Sequence, residues 1–192
     1  MTYNDVFLRR NILINIPLVN NGVKLPKSTA ASVMLLRVAY QQKVDEFIKI
    51  IEDVQKGFKK DGYEERARNV AEMRDIDERE KKAKSWKESD GGERPKMPSK
   101  EELEKAENTR KTLVDFEEEQ KELIEHTQEA QDKHSKDTVD MKNCTLTKSE
   151  LADIYEVIGA DGEMEYSVPN QTDNFKVSCE WFLGMIATHL VD

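Results

Sequence analysis

Apolar residues recur at steps of four, three, four, three and four through Tyr40, Val44, Phe47, Ile51, Val54 and Phe58, the spacing of a seam on one helical face. A helix is predicted from about Thr29 to Phe58, with Ser28 or Thr29 as its cap, since a hydroxyl there accepts an orphan backbone N–H. Its first half is apolar on most sides (Val33, Met34, Leu35, Leu36, Val38, Ala39), which suits a small core. The second half narrows to the seam and projects. Gly57 and Asp61-Gly62 predict a break.

Upstream, Val6 to Leu18 is rich in large and β-branched residues and predicts an extended arm, ended by Pro17 and the Asn20-Asn21-Gly22 turn. Asn-Gly tolerates positive φ, so a short hairpin returning along Val23 to Leu25 is expected. Pro26 holds Leu25 extended.

Tyr63 to Lys87 is dominated by charge. The pairs Glu64–Arg68, Asp75–Arg79, Glu78–Lys82 and Glu80–Lys84 support a helix, and Tyr63, Ala67, Val70, Met73 and Ile76 give it a thin apolar stripe. Ser89 to Pro95 predicts an exposed loop. A second long helix starts at Ser99, whose capping box with Glu102 satisfies two orphan donors. Its seam passes through Ala106, Thr109, Leu113, Phe116, Gln120, Leu123, Thr127, Ala130 and His134. A seam with so many polar members needs a stronger partner, so an antiparallel hairpin with the Tyr40–Phe58 seam is expected, its charged tip around residues 61–98.

The C-terminal part returns to a globular pattern. Val139 to Leu146 alternates loosely, as a strand would. Thr147 to Glu150 forms another capping box, opening a helix through Leu151, Ile154, Tyr155 and Ile158 that stops at Gly159. Met164, Tyr166 and Val168 have period two. Phe175 to Leu190 predicts a buried helix containing Trp181, Phe182, Ile186 and Leu190, with a strand as the alternative at its start. The fold class is therefore mainly α: an N-terminal arm or short hairpin (1–28), a long helical hairpin (29–137), and a small α+β segment (138–192) packing on the first half of the 29–58 helix.

Composition fits that plan. The 192 residues are 36% charged and only 37% hydrophobic, as expected of long helices with narrow buried stripes. The net charge of −9 argues against a general nucleic-acid binder. It is unevenly spread: residues 1–60 carry 10 Lys+Arg against 5 Asp+Glu, and residues 101–192 carry 9 against 23. Such asymmetry biases docking between surfaces of opposite sign, although exposed charge on helices is most often simply solvated. No apolar run is long enough to cross a bilayer, and no secretory leader is evident, which predicts a protein that stays or assembles in a cytoplasm.

Catalytic chemistry is sparse. Cys144 and Cys179 lack zinc spacing and fit buried free thiols. His126 lies one turn after Glu122, but no Glu-x-x-His occurs, as a di-iron bundle would need, and His134 and His189 stand apart. Phosphate-loop, nucleophile-elbow and zincin motifs are absent, and Asp161-Gly162-Glu163 lacks the alternating ligands of a calcium loop. No cofactor, metal or catalytic residue is assigned. As partner-binding candidates there remain the apolar arm (Phe7, Leu8, Ile12, Ile14, Ile16), flanked by Arg9-Arg10, and the acidic run Glu117, Glu118 and Glu119. An arm of this kind is often completed by another subunit's sheet or groove.

The apolar arm, the Lys-Leu-Pro-Lys-Ser turn (Lys24 to Ser28), the charged helical hairpin and the capped helix start Leu146 to Leu151 follow in an order that resembles small helical virion-structural proteins of tailed bacteriophages, crAss-like phages included. The similarity lies in composition and order, and it carries over no functional residue. It implies a non-enzymatic, multi-copy ring or adaptor protein of the portal, neck or tail region. Such a protein assembles in the host cytoplasm into the virion, against other virion proteins and copies of itself, without sequence-specific nucleic-acid or membrane binding. The alternative is a soluble acidic module, an assembly chaperone or inhibitor, whose residues 101–137 (13 Asp+Glu against 6 Lys+Arg) face a basic protein.

Overall fold

Thr2 opens the first element: its hydroxyl accepts the Asp5 N–H while the Asp5 carboxylate accepts the Thr2 N–H, a full capping box. The computed structural model describes residues 1–86, 93, 95–169 and 171–191. In it, Tyr3–Asn15 is a helix, α1, where the sequence predicts an extended arm. The β-branched run is overridden by burial, because Tyr3, Val6, Ile12 and Leu13 all turn inward at helical spacing. The hairpin that follows is as expected: β1 (Val19–Asn20) pairs antiparallel with β2 (Val23–Lys24). Its turn residues Asn21 and Gly22 adopt φ of 47° and 83°, the left-handed conformation an Asn-Gly pair tolerates.

The remaining elements are α2 (Lys27–Phe58), α3 (Tyr63–Ser85), α4 (Lys100–Arg110), α5 (Leu113–His134), α6 (Lys148–Ile158), β3 (Glu163–Tyr166), β4 (Phe175–Ser178) and α7 (Cys179–Leu190). The fold is mainly helical, with long helices and two small two-stranded antiparallel sheets. The helix predicted from Ser99 onward comes in two pieces. At their junction Thr109 and Thr112 turn their hydroxyls onto the carbonyls of Lys105 and Thr109, a local competition with the helical ladder. The strand expected over Val139–Leu146 is absent. Asn143 takes a left-handed φ of 58°, and only isolated bridges, Thr2↔Thr138 and Leu146↔Val191, flank the segment. The exposed loop expected at Ser89 to Pro95 lies largely outside the described residues.

The chain divides into two compact units, Met1–Ile51 with Gln131–Asp192 and Glu52–Ala130. In the first, Val6, Ile12, Leu13, Val33, Tyr40, Ile154, Phe182 and Ile186 are completely buried. Tyr40 Oη donates to the Cys144 carbonyl at 3.0 Å and accepts from Arg9, so its polar end is satisfied inside this core. Thr29 caps no helix. It is buried, and its hydroxyl donates to Asp153 of α6. Tyr166 meets Trp181 and Phe182 edge-on, fixing the β3–β4 hairpin against α7.

The second unit has its own core of Val70, Met73, Ile76, Ala106 and Phe116, flanked by Tyr63, Ala67, Leu103 and Leu113. The charged segment expected as a tip is therefore a packed helix. Ion pairs Arg66–Glu119 and Arg79–Glu102 order α3 antiparallel to α4 and the start of α5. Three of the predicted pairs within α3 form, Asp75–Arg79, Glu78–Lys82 and Glu80–Lys84, whereas Glu64 pairs with Lys59.

Candidate functional site

The long seam has two sets of partners. Phe47 touches α1, its ring centroid 5.1 Å from both Tyr3 and Phe7, and Tyr40, Val44 and Ile51 are buried with it. Within the second unit Gln55 donates to Thr127 at 3.4 Å, and Phe58 stacks on His126 at 3.9 Å although it stays 44% exposed. Val54 and Leu113 are half-buried, Leu123 is buried, and Phe116 is held by Tyr63 and the α3 stripe. The apolar surplus of the seam thus serves α1, an element the sequence pattern disguises as an arm.

This relocation dismantles the expected apolar partner surface. Ile12 and Ile16 lie in the core, Phe7 and Leu8 are half-buried, and Ile14 alone among the five is at the surface. A different apolar face is exposed beside it. Met34, Leu35 and Val38 of α2 are 46%, 72% and 53% accessible. They belong to the helix half predicted to be core, of which Val33 and Leu36 turn inward. The clue in the sequence is apolar character wider than one buried stripe can use.

Arg37 joins the two helices. Its guanidinium donates to the carbonyls of Leu13 (2.9 Å), Ile14 (3.4 Å) and Ile16 (2.6 Å) at the end of α1, where the Leu13 carbonyl also accepts the Ile16 N–H at 3.3 Å. Burial pulls its pKa below the usual arginine value, but the group stays cationic. Next to it, Arg10 donates to Gln41 at 2.8 Å and Gln41 to Asp45 at 2.7 Å, a polar ledge. Ile14, Arg37, Val38, Gln41, Gln42 and Asp45 line a shallow groove of about 380 Å³. The surface is apolar with a polar rim.

The acidic run divides in a similar way. Glu117 and Glu118 are exposed, but Glu119 is buried and bound to Arg66, so it belongs to the interior of the second unit. The polar groove nearby, about 570 Å³, is lined by Arg66, Glu101, Glu104, Lys105, Thr109 and others. Among the described residues no three His, Cys, Asp or Glu side chains converge as metal ligands. His126 faces Glu129 and His134 faces Asp137 one turn away, while Cys144 and Cys179 are free thiols, half-buried and buried. No described helix is long and apolar enough to cross a membrane. No protein-family model, curated protein or solved structure matches this chain.

Proposed function

We propose that this chain is a non-enzymatic structural component of a multi-copy assembly, a ring or adaptor of the portal, neck or tail region of a tailed-phage particle, assembled in the host cytoplasm. The observation that carries the reading is the exposed Met34–Leu35–Val38 face beside Ile14, in a unit whose own core is already complete. Large aliphatic groups left in water at helical spacing gain about 25 cal/mol for each Å² a neighbour covers. The neighbour we assign is another copy of the chain. Rings close when one surface meets a different surface on the next copy, and the basic N-terminal and acidic C-terminal stretches supply surfaces of opposite sign.

Mass measurement in solution across a concentration series, with detection of the chain in purified particles, tests this reading. Wild type is expected to self-associate, and Leu35→Lys to shift it toward monomer without lowering its melting temperature. A wild type that is monomeric throughout and missing from particles overturns the proposal. The exposed Glu117 and Glu118 favour one second reading, an acidic module acting on a basic protein. It predicts one salt-sensitive heterologous partner lost on Glu117→Lys/Glu118→Lys, and equal affinity at low and high salt counts against it.

A further inference from the structure

β3 has one edge paired by β4 and one that faces away. The two strands align Glu163↔Ser178, Met164↔Val177, Glu165↔Lys176 and Tyr166↔Phe175. One step beyond, the Cys179 N–H donates to the Gly162 carbonyl at 3.1 Å. In an antiparallel ladder that bond marks Gly162 and Cys179 as a hydrogen-bonded pair. Alternation then makes Met164 and Tyr166 the bonded positions along β3. The N–H and C=O groups of Glu163, Glu165 and Ser167 consequently point to the outer side.

At Ser167 that outer row is already taken. Asn15, the last residue of α1, accepts the Ser167 N–H at 2.7 Å and donates to the Ser167 carbonyl at 2.9 Å. Its side-chain amide stands where the peptide group of a further strand would lie. Among the described residues, the backbones of Glu163 and Glu165 find no corresponding partner. A groove of about 380 Å³ runs here, lined among others by Asn15, Asn20, Asp161, Glu163, Met164 and Glu165. Among the described residues no Lys or Arg lines it. The Lys176 ammonium reaches Glu163 only at 4.0 Å, with both side chains mostly in water.

We propose that this groove takes an extended, lysine- or arginine-bearing segment of another protein, which adds a strand to the outer edge of β3. Backbone groups of Glu163 and Glu165 supply the ladder bonds, and Asn15 sets where the added strand must end. The carboxylates of Glu163 and Glu165 share one face of the sheet, so the segment carries its basic residues at alternate positions. A second copy of β3 is a poor occupant. Antiparallel self-pairing sets Glu163 and Glu165 of one copy opposite the same carboxylates of the other, and like charges directly opposed destabilise a ladder. The inference goes beyond the assembly reading and does not depend on it.

The test is a titration of the isotopically labelled full chain with the peptide acetyl-Lys-Val-Lys-Val-Lys-amide, followed by amide chemical shifts. Shifts centred on Glu163 and Glu165 are expected. N-methylation of the peptide's edge-facing nitrogens should weaken binding about tenfold or more, since it removes ladder donors while keeping charge. The double variant Glu163→Lys/Glu165→Lys, at exposed positions, should reject this peptide and accept its Glu-Val-Glu-Val-Glu counterpart. Unchanged affinity of the N-methylated peptide overturns the proposal. So do shifts centred on Glu117 and Glu118, or no shift at the highest soluble peptide concentration.

Discussion

Arg66 holds both carboxylate oxygens of Glu119, its Nη2 lying 2.9 Å from Oε1 and 2.7 Å from Oε2, while the Lys60 N–H donates to Oε1 at 3.1 Å. One buried carboxylate thereby ties the loop after α2 to α3 and α5. Glu119→Ala is expected to cost about 1–3 kcal/mol, because Lys60 loses its acceptor and Arg66, itself partly in water, loses its counter-charge. Glu117→Ala and Glu118→Ala should stay within about 0.5 kcal/mol, as exposed substitutions do. Urea unfolding of the three variants is the measurement. Equal losses at all three positions would refute the distinct role of Glu119.

Phe47 belongs to α1 as much as to its own helix, meeting Phe7 edge-on at 89° and Tyr3 at a 53° tilt. Truncating a buried aromatic of this kind costs about 3–5 kcal/mol. In Phe47→Ala the loss should appear first as faster hydrogen exchange across α1, with the α3 amides over Val70 to Ile76 little changed. Protection that survives in α1 but fails in α3 would refute the pairing of Phe47 with α1.

Arg37 spreads its donors over three carbonyls at the end of α1. Arg37→Met preserves much of the stem packing but takes the guanidinium donors from the Ile14 and Ile16 carbonyls, while Leu13 keeps the Ile16 N–H, at a cost of about 1–3 kcal/mol. Arg37→Lys should fall between wild type and Met, because one ammonium cannot reproduce a planar fork. Thermal melts of the three proteins order them. A lysine variant as stable as wild type would show that charge alone, not donor geometry, matters there.

Much of the fold was legible where a local rule has one outcome. Ser99 with Glu102, Thr147 with Glu150, the Asn21-Gly22 turn and the Gly159 stop all sit as their chemistry requires. The failures lie where tertiary burial competes with propensity. Ile12 and Ile14 have the composition of a strand, yet the Thr2–Asp5 box and the inward spacing of Tyr3, Val6 and Leu13 make a helix that ends before Ile16. The α3 stripe looks thin in isolation and suffices because Ala106 and Phe116 close over it. Of the candidate sites, Ile14, Glu117 and Glu118 stay accessible, whereas Ile12, Ile16 and Glu119 were claimed by the interior. The exposed side of α2 is hinted at by apolar character wider than one buried stripe, but which of its residues stay outside, and which edge of β3 stays unpaired, is decided by packing.

Acid should loosen the second unit through Glu102. The Ser99 N–H of its capping box, the Arg79 guanidinium and the Ser99 hydroxyl all favour its ionised form, which lowers its pKa from 4.5 to about 2. A carboxylate held below its unfolded value binds fewer protons folded than unfolded between the two, so stability rises with pH across that window. Its contribution is complete above the unfolded value of 4.5 and is lost as pH falls toward about 2. Because this carboxylate and its Arg79 partner are both partly in water, salt should shrink the Arg79 share while leaving the cap. Melting temperature against pH, followed for wild type, Ser99→Ala and Arg79→Met, checks the assignment. Each variant should show a shallower decline between about pH 5 and pH 2, the flatter curve belonging to Arg79→Met, which loses a hydrogen bond and a charge, whereas Ser99→Ala keeps the backbone N–H on the carboxylate. Parallel curves for all three proteins would place the acid sensitivity elsewhere in the chain.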